Sequence, residues 1–398
     1  MEQIHLWLTP LFTREVLYLL LIFALFVLPK LIQRLRIPTA VTSMLLGVAA
    51  AYWFPQLIDD NTVALLSTLG IVSLFLFAGL ELKLDDIKTG GLMLVQHVAI
   101  GVLNIVIAGF VISWIFGFGK GMSILISLAL FTPSTGFILD SLRSINVSEA
   151  ERFWIKSIAI AAELVALLTL FVIVQSVSLT RFSISLFILV ALIVILPILF
   201  RFFANRIVPH APNSEFAFLL IVALASAFIT YRLGVYYLVG AFIVGITAQR
   251  FRQNLPALTS ENMLHAIEVF ASFFIPFYFF KAGLHLNPRD LEWKTALMAL
   301  AFIILIIPLR IILIGLHRKY IMKESFRNAV RIGVAISPTL VFSLVLAEIL
   351  RDSFQAPLYI YGAIWLYALA NTMLPGFWLK IPPPDFESLR LPNNNQKV

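Results

Sequence analysis

The sequence predicts an all-α polytopic membrane protein of about thirteen transmembrane helices, built as two inverted repeats that each carry a broken helix. Three observations lead there: apolar runs of bilayer length along nearly the whole chain, basic residues gathered on alternate loops, and two pairs of similar segments at one offset. Of 398 residues, 61% are hydrophobic and 13% charged, with a mean hydropathy of +0.97. A soluble domain carries about 25% charged residues. A β-barrel would show alternating strands of about ten residues, whereas these runs are continuous. There is no cysteine, which excludes disulfides, thiol catalysis and thiolate metal sites. The net charge of +8 sits in short loops, where it sets orientation and does not imply nucleic-acid binding.

The spans are expected at 14–33, 38–54, 63–82, 92–116, 121–143, 153–176, 183–204, 214–231, 234–249, 264–284, 295–317, 327–349 and 357–379, by the bilayer-length criterion. The first run, Val16 to Leu28, lacks a basic leader and a small-residue cleavage site, so it reads as a span and not as a cleavable signal. Pro38 opens the second run, and the prolines 382–384 follow the last, at positions where helices start or stop. Placing the loops on alternate sides puts twenty basic residues on one side, Lys30, Arg36, Arg318 and Lys323 among them. Seven fall on the other: Arg14, Lys120, Arg181, Arg232, Arg289, Lys294 and Arg351. The richer side is cytoplasmic. The N-terminus is then outside and the C-terminus inside, which requires an odd number of spans. Residues 380–398 are expected to be a short cytoplasmic tail, Pro- and Asn-rich and disordered in character. No nucleotide-binding domain and no Gly-rich phosphate loop is found.

Two segment pairs reveal the repeat. Phe75–Ile87 (FLFAGLELKLDDI) resembles Phe279–Leu291 (FFKAGLHLNPRDL), aligning Gly79 with Gly283. Thr132-Pro133-Ser134 resembles Ser337-Pro338-Thr339. The offsets, 204 and 205 residues, equal seven spans. Seven is odd, so the halves are inverted, a recurring plan of secondary transporters with the ion site at the midplane. A mid-span proline removes a backbone hydrogen bond. The flanking hydroxyls of Thr132, Ser134, Thr135, Ser337 and Thr339 can cover the freed carbonyls or coordinate a cation. One such proline would read as a simple kink; two at repeat-related positions predict crossed, unwound helices.

Glu163 lies in the middle of the sixth span, in FWIKSIAIAAELVALLTLFVIV (Phe153–Val174), with Lys156 ahead of it and no charge beyond it until Arg181. A carboxylate at bilayer depth costs about 2.5–3.5 kcal/mol on the lenient insertion scale. It can hold a proton or a small cation and exchange one for the other; the alternative role is one half of a buried salt bridge. Arg310 lies at similar depth in span eleven. Its guanidinium keeps its charge at working pH, so it cannot carry the proton, but it can pair with Glu163 or cap the broken helix ends.

Several segments together resemble the monovalent cation:proton antiporter-2 family, which contains Kef-type potassium efflux and related sodium/proton antiporters. They are LRIPTAVTSMLLGVAA (Leu35–Ala50), LGIVSLFLFAGLELKLDDIK (Leu69–Lys88), PSTGFILDSL (Pro133–Leu142) and LVGAFIVGITAQRF (Leu238–Phe251). The resemblance runs through nearly all spans. It implies the sodium/proton antiporter fold, with a mobile core of spans 92–176 and 295–379, and spans 14–82 and 214–284 forming a scaffold and homodimer interface. Residues 1–379 would be the exchanger domain. The chain departs from the family in three places. The usual midplane acidic pair is Ala162-Glu163, the usual lysine of span eleven is Arg310, and SPTLVF stands where Gly-Glu-Phe is common.

The expected function is secondary active antiport of a monovalent cation (Na⁺ or K⁺) for a proton in the bacterial-type inner membrane, with no enzymatic activity and no cofactor. Proton and cation compete for Glu163 in alternating access. One acid and a fixed arginine make the simplest exchange one for one, hence electroneutral. The candidate cation site is Glu163 with Thr132, Ser134 and Thr135. Arg310 and Lys281 are candidate supporting charges, although Lys281 lies near the outer end of span ten, where snorkelling is the simpler reading. Pro133, Ser337, Pro338 and Thr339 mark the discontinuous helices. Asp140 is either at a cytoplasmic funnel mouth or on a solvated helix end. Glu81 and Glu268 read as paired or snorkelling residues, Asn104 and Asn371 as helix–helix hydrogen-bonding amides. Two other functions fit the same plan: an organic-anion transporter with Arg310 or Lys281 as counter-charge, and a non-transporting sensor or channel.

Overall fold

Every predicted span corresponds to a helix or to a helix pair joined by a short break in the computed structural model, which describes residues 14–82, 84–142, 147–176, 178–211, 214–234, 236–251, 261–286 and 291–379. In chain order they are α1 (Arg14–Ile32), α2 (Thr39–Trp53), α3 (Asn61–Leu80), α4 (Leu84–Phe116), α5 (Lys120–Phe131), α6 (Thr135–Leu142), α7 (Glu149–Gln175), α8 (Leu179–Phe202), α9 (Glu215–Arg232), α10 (Tyr237–Phe251), α11 (Glu261–Leu284), α12 (Trp293–Tyr320), α13 (Phe326–Ala335), α14 (Leu340–Phe354) and α15 (Leu358–Trp378). Among the described residues nine helices are long and apolar enough to cross a membrane, and the bent pair α13–α14 makes ten. The 15-residue helices α2 and α10 and the 21-residue α15 occupy the remaining predicted positions. The expected tail lies outside the described residues.

Helix ends follow local chemistry. Asp60 caps α3, accepting the backbone N–H of Val63 at 2.9 Å, and its other oxygen accepts the Tyr18 hydroxyl at 2.6 Å. Ser148 and Glu151 form a reciprocal capping box at the start of α7. Ser178 and Ser325 cap α8 and α13. The long helix α4 begins earlier than the expected 92 and is kinked at Gly91, whose φ of 50° is in the left-handed region that glycine tolerates.

Two groups of helices pack tightly within themselves. In the first, α3 packs on α10 and α11, α2 on α11, and α9 on α10. The repeat is visible in these contacts. Gly79 of α3 lies on Phe242 and Gly245 of α10, and its repeat mate Gly283 of α11 lies on Met44 and Val48 of α2. At both glycines a Cβ would fall on a backbone carbonyl oxygen, so close helix approach requires glycine there. In the second group α12 packs on α13 and α15, α4 on α5 and α7, α14 on α5 and α15, and α6 on α7. The outer faces of α4, α8 and α12 expose large apolar side chains, including Phe110, Trp114, Phe187, Ile198, Ile304 and Leu305. Such a band faces hydrocarbon in a membrane protein.

Candidate functional site

The two proline breaks cross at the centre of the second group. Backbone leaves the helix at Thr132 (φ −79°, ψ 119°), and the Ser134 N–H donates to the Pro338 carbonyl at 2.8 Å, so one break bonds directly to the other. Each proline frees the carbonyl four residues earlier. The Ala129 carbonyl, freed by Pro133, accepts the Ser343 hydroxyl at 2.6 Å. The Val334 carbonyl, freed by Pro338, accepts the Ser337 hydroxyl at 2.8 Å. The Leu130 carbonyl, which Ser134 would have bonded in a continuous helix, accepts the Tyr367 hydroxyl at 2.7 Å. Asn371, one turn from Tyr367 on α15, donates to the Ser337 carbonyl and to Thr339 Oγ1. Buried backbone groups must find partners, and these side chains supply them.

Arg310 completes this set. Only 5% exposed, it donates to the Ser337 carbonyl at 2.8 Å, to those of Leu130 and Ile336 at 3.3 Å, and to the Tyr367 hydroxyl at 3.4 Å. These carbonyls belong to the C-terminal ends of α5 and α13, where the helix dipole is negative. Arg310 therefore caps both half-helices. Among the described residues it makes no ion pair with Glu163, so of the two roles open to it the structure shows the capping one. The reason is geometric: the planar fork of donors is taken up by convergent carbonyls.

Glu163 is 2% exposed on α7, fourteen residues from the helix start. Ala159, Ala161 and Ala166 of the same helix are buried with it. Its carboxylate is faced by the hydroxyl and backbone N–H of Thr135, the first residue of α6. A helix N-terminus favours negative charge. The crossing thus assigns opposite charges to opposite dipole ends: arginine to the carbonyl ends of α5 and α13, glutamate to the amide end of α6. Glu163 Oε2, Thr135 Oγ1 and Thr132 Oγ1 are all buried without a hydrogen-bond partner. Three such oxygens are costly, and they are the donor set a proton or monovalent cation would take. Ser134 and Thr339 are buried at the crossing, where the Ser134 backbone and the Thr339 hydroxyl are already engaged. Lys281 lies on α11 in the other helix group and is not among the residues around Glu163. Asp140 belongs to α6, but its side chain is outside the described residues.

A cavity of about 460 Å³ lies between the two helix groups. Pro29, Pro38 and Pro276 wall it on one side, Gly136, Val341 and Pro375 on the other, and Lys30, Arg36 and Glu268 border it. Gly136 is the neighbour of Thr135, so the cavity approaches within one residue of the group facing Glu163. Lys30 and Arg36 belong to the side that carries most of the basic residues. A smaller cavity of about 80 Å³ lies behind the crossing, lined by His97, Asn104, Thr132, Ala162 and Arg310. Glu81 pairs with Lys156 at 2.8 Å. Tyr367 and Ser343 are site residues that the sequence reading passed over; the signal for Tyr367 is its four-residue spacing from Asn371, which places both on one face of α15.

Inverted repeats, crossed broken helices and a buried carboxylate at the crossing define a secondary transporter. The sequence profile of the sodium/hydrogen exchanger transmembrane family matches residues 20–382, and the chain belongs to that family. The fold is similar to that of the sodium proton antiporter MjNhaP1 from Methanocaldococcus jannaschii at pH 8, with a TM-score of 0.63 and 17% identity over 91% of this chain and 92% of that one. An electron-microscopy structure of the same antiporter gives a TM-score of 0.65 and 18% identity over 95% of this chain and 99% of that one. No curated protein sequence matches the chain.

Proposed function

We propose that this sodium/hydrogen exchanger family member performs electroneutral antiport of a monovalent cation, Na⁺ or K⁺, for one proton, with Glu163 binding each in turn. The observation that carries this is the set of unsatisfied buried oxygens at the crossing: Glu163 Oε2 with the hydroxyls of Thr132 and Thr135. Protonation satisfies Glu163 by neutralising it, and a cation satisfies all three oxygens at once. The two bound states exclude each other, so coupling needs no further device. No cofactor enters the scheme.

In this reading the group from α4 to α7 with α12 to α15 moves as a core, and α1 to α3 with α9 to α11 stand still as scaffold and homodimer surface. The 460 Å³ cavity is the cytoplasmic access path. The N-terminus lies outside and the C-terminus inside the inner membrane. Within the family, the GLEL and GAFIVG segments favour the Kef-type branch. The organic-anion reading is disfavoured because both terminal nitrogens of Arg310 already donate to backbone carbonyls. The test is proton movement in proteoliposomes, read by a pH-sensitive dye as Na⁺, K⁺ or Li⁺ is added. Glu163→Gln should abolish the response while the protein remains folded; full activity of that variant would sink the mechanism.

A further inference from the structure

Glu348 is a second, part-buried carboxylate within the bundle, and nothing in the exchange at Glu163 uses it. It lies on α14, where one oxygen accepts the Tyr236 hydroxyl at 2.6 Å and the other stands 3.3 Å from His285 Nδ1. Tyr278 and Tyr361, both buried, are close enough to feel its charge. Tyr236 leads into α10 and His285 follows α11, so both partners belong to the scaffold group, while Glu348 belongs to the core group. Tyr236 holds a φ of 67°, a left-handed conformation that a bulky residue adopts only when its surroundings impose it. Gln175 at the end of α7 adds a second link at this end, donating to the Leu233 carbonyl at 2.8 Å.

These contacts lie at the opposite end of the bundle from the large cavity. Along α15, Tyr361 beside Glu348 and Pro375 beside the cavity are fourteen residues apart, about 21 Å of helix. Lys156–Glu81 also joins the two groups, at the cytoplasmic end, but through one flexible lysine. A structural staple would tie residues within one rigid group. This cluster ties together two groups that alternating access must separate, at the end that is closed while the other end is open. We propose that Glu348, with Tyr236 and His285, is the outer latch of the exchanger, holding the core in its cytoplasm-open position. The latch rests on the core-and-scaffold reading above. In this role Glu348 is a positioning residue: it touches no transported ion and sets the balance between the two access states.

The absence of native cysteine allows single reporters. Ser272→Cys places one on the cavity wall, and Ala282→Cys places one on the α11 face that carries Tyr278 and His285. Each is labelled with a membrane-impermeant maleimide in vesicles of known sidedness. Glu348→Gln should raise labelling at 282 from the outside and lower labelling at 272 from the cytoplasmic side, each by roughly tenfold, the scale expected for losing a charge-assisted hydrogen bond. Tyr236→Phe removes a single hydroxyl and should shift both rates in the same directions by less; it decides the question if Glu348→Gln cannot be recovered folded. Unchanged rates at both reporters, or a rise at both, would overturn the latch. Labelling does not require transport, so a chain that exchanged no ions would still report it. Conversely, unchanged labelling would leave the Glu163 exchange untouched.

Discussion

Removing the Arg310 side chain separates two roles that the sequence allows, capping the half-helices and pairing with Glu163. Arg310→Met keeps most of the apolar stem and deletes the guanidinium. The 2.8 Å bond to the Ser337 carbonyl is the short, charge-assisted one, worth about 1.5–3 kcal/mol. The contacts at 3.3–3.4 Å add roughly 1 kcal/mol together, since such long bonds are weak. The Leu130 and Ser337 carbonyls keep Tyr367 and Asn371 as partners, whereas Ile336 loses the guanidinium. The expected destabilisation is therefore about 3 kcal/mol. It should appear as a drop of a few degrees in the unfolding midpoint of the detergent-solubilised protein, measured by scanning fluorimetry. Arg310→Lys keeps the charge but not the fork, and should recover about half of that loss.

The decisive measurement is the double variant with Glu163→Gln. Capping predicts that the two losses add within about 0.5 kcal/mol, because Arg310 and Glu163 share no hydrogen-bond partner. Pairing would make Glu163→Gln rescue Arg310→Met, since the carboxylate would no longer be left uncompensated. Rescue, or an unchanged midpoint in Arg310→Met alone, would refute the capping assignment.

Two other perturbations test the frame. Gly283→Ala places a Cβ on the Met44 carbonyl and should separate α11 from α2; a loss of about 1–3 kcal/mol is expected for such overpacking, seen as poor recovery of folded protein or a lowered unfolding midpoint. Asp60→Ala removes the cap of α3 and should cost about 1–2 kcal/mol. Burial alone would raise the Asp60 pKa, but hydrogen bonds from Tyr18 and from the Val63 and Thr62 backbone, and the charge of Arg14, hold it below its ordinary value of 3.8. A depressed carboxylate pKa contributes stability above the unfolded value and loses it as pH falls through the folded one. The midpoint difference between wild type and Asp60→Ala should therefore be full near neutrality and shrink below pH 3.8.

The span pattern, the inverted repeat and the Glu163 carboxylate were legible because each has a local signature: hydropathy of bilayer length, duplicated words at one offset, a lone charge in an apolar run. The two Ser/Thr-Pro words even foretold a crossing. Which of its two possible partners Arg310 takes was not legible. Depth along a helix can be counted from sequence, but azimuth about it cannot be read in helices apolar all round, and azimuth decides whether a guanidinium meets a carboxylate or a cluster of carbonyls. Tyr367 and Ser343 were missed for a related reason. A tyrosine or serine in an apolar span has many bland explanations, and its partner carbonyl becomes available only once a proline 200 or more residues away has broken another helix. The contact at Glu348 between the two helix groups was illegible because it joins a helix interior to two helix ends whose proximity exists only in the assembled fold.

The charge arrangement at the crossing bears on stoichiometry. Arg310 is held by helix-end carbonyls of its own helix group, on α5 and α13. Under the proposed exchange its charge is therefore a constant of the core in both access states. Glu163 is neutral when protonated and neutralised when it holds a monovalent cation. Under the proposed exchange the core moves with the same net charge in both directions, and the membrane potential does no work on the cycle. One uncompensated charge would be worth about 2.3 kcal/mol per 100 mV, roughly a fiftyfold change in the Na⁺ gradient that the exchanger can balance. In K⁺-free proteoliposomes held at zero and at about 100 mV by a thiocyanate diffusion potential, the Na⁺ gradient at which proton flux reverses should be the same. A fiftyfold displacement would show that a second proton or an unpaired cation moves with the core, and that a group other than Glu163 shares the coupling.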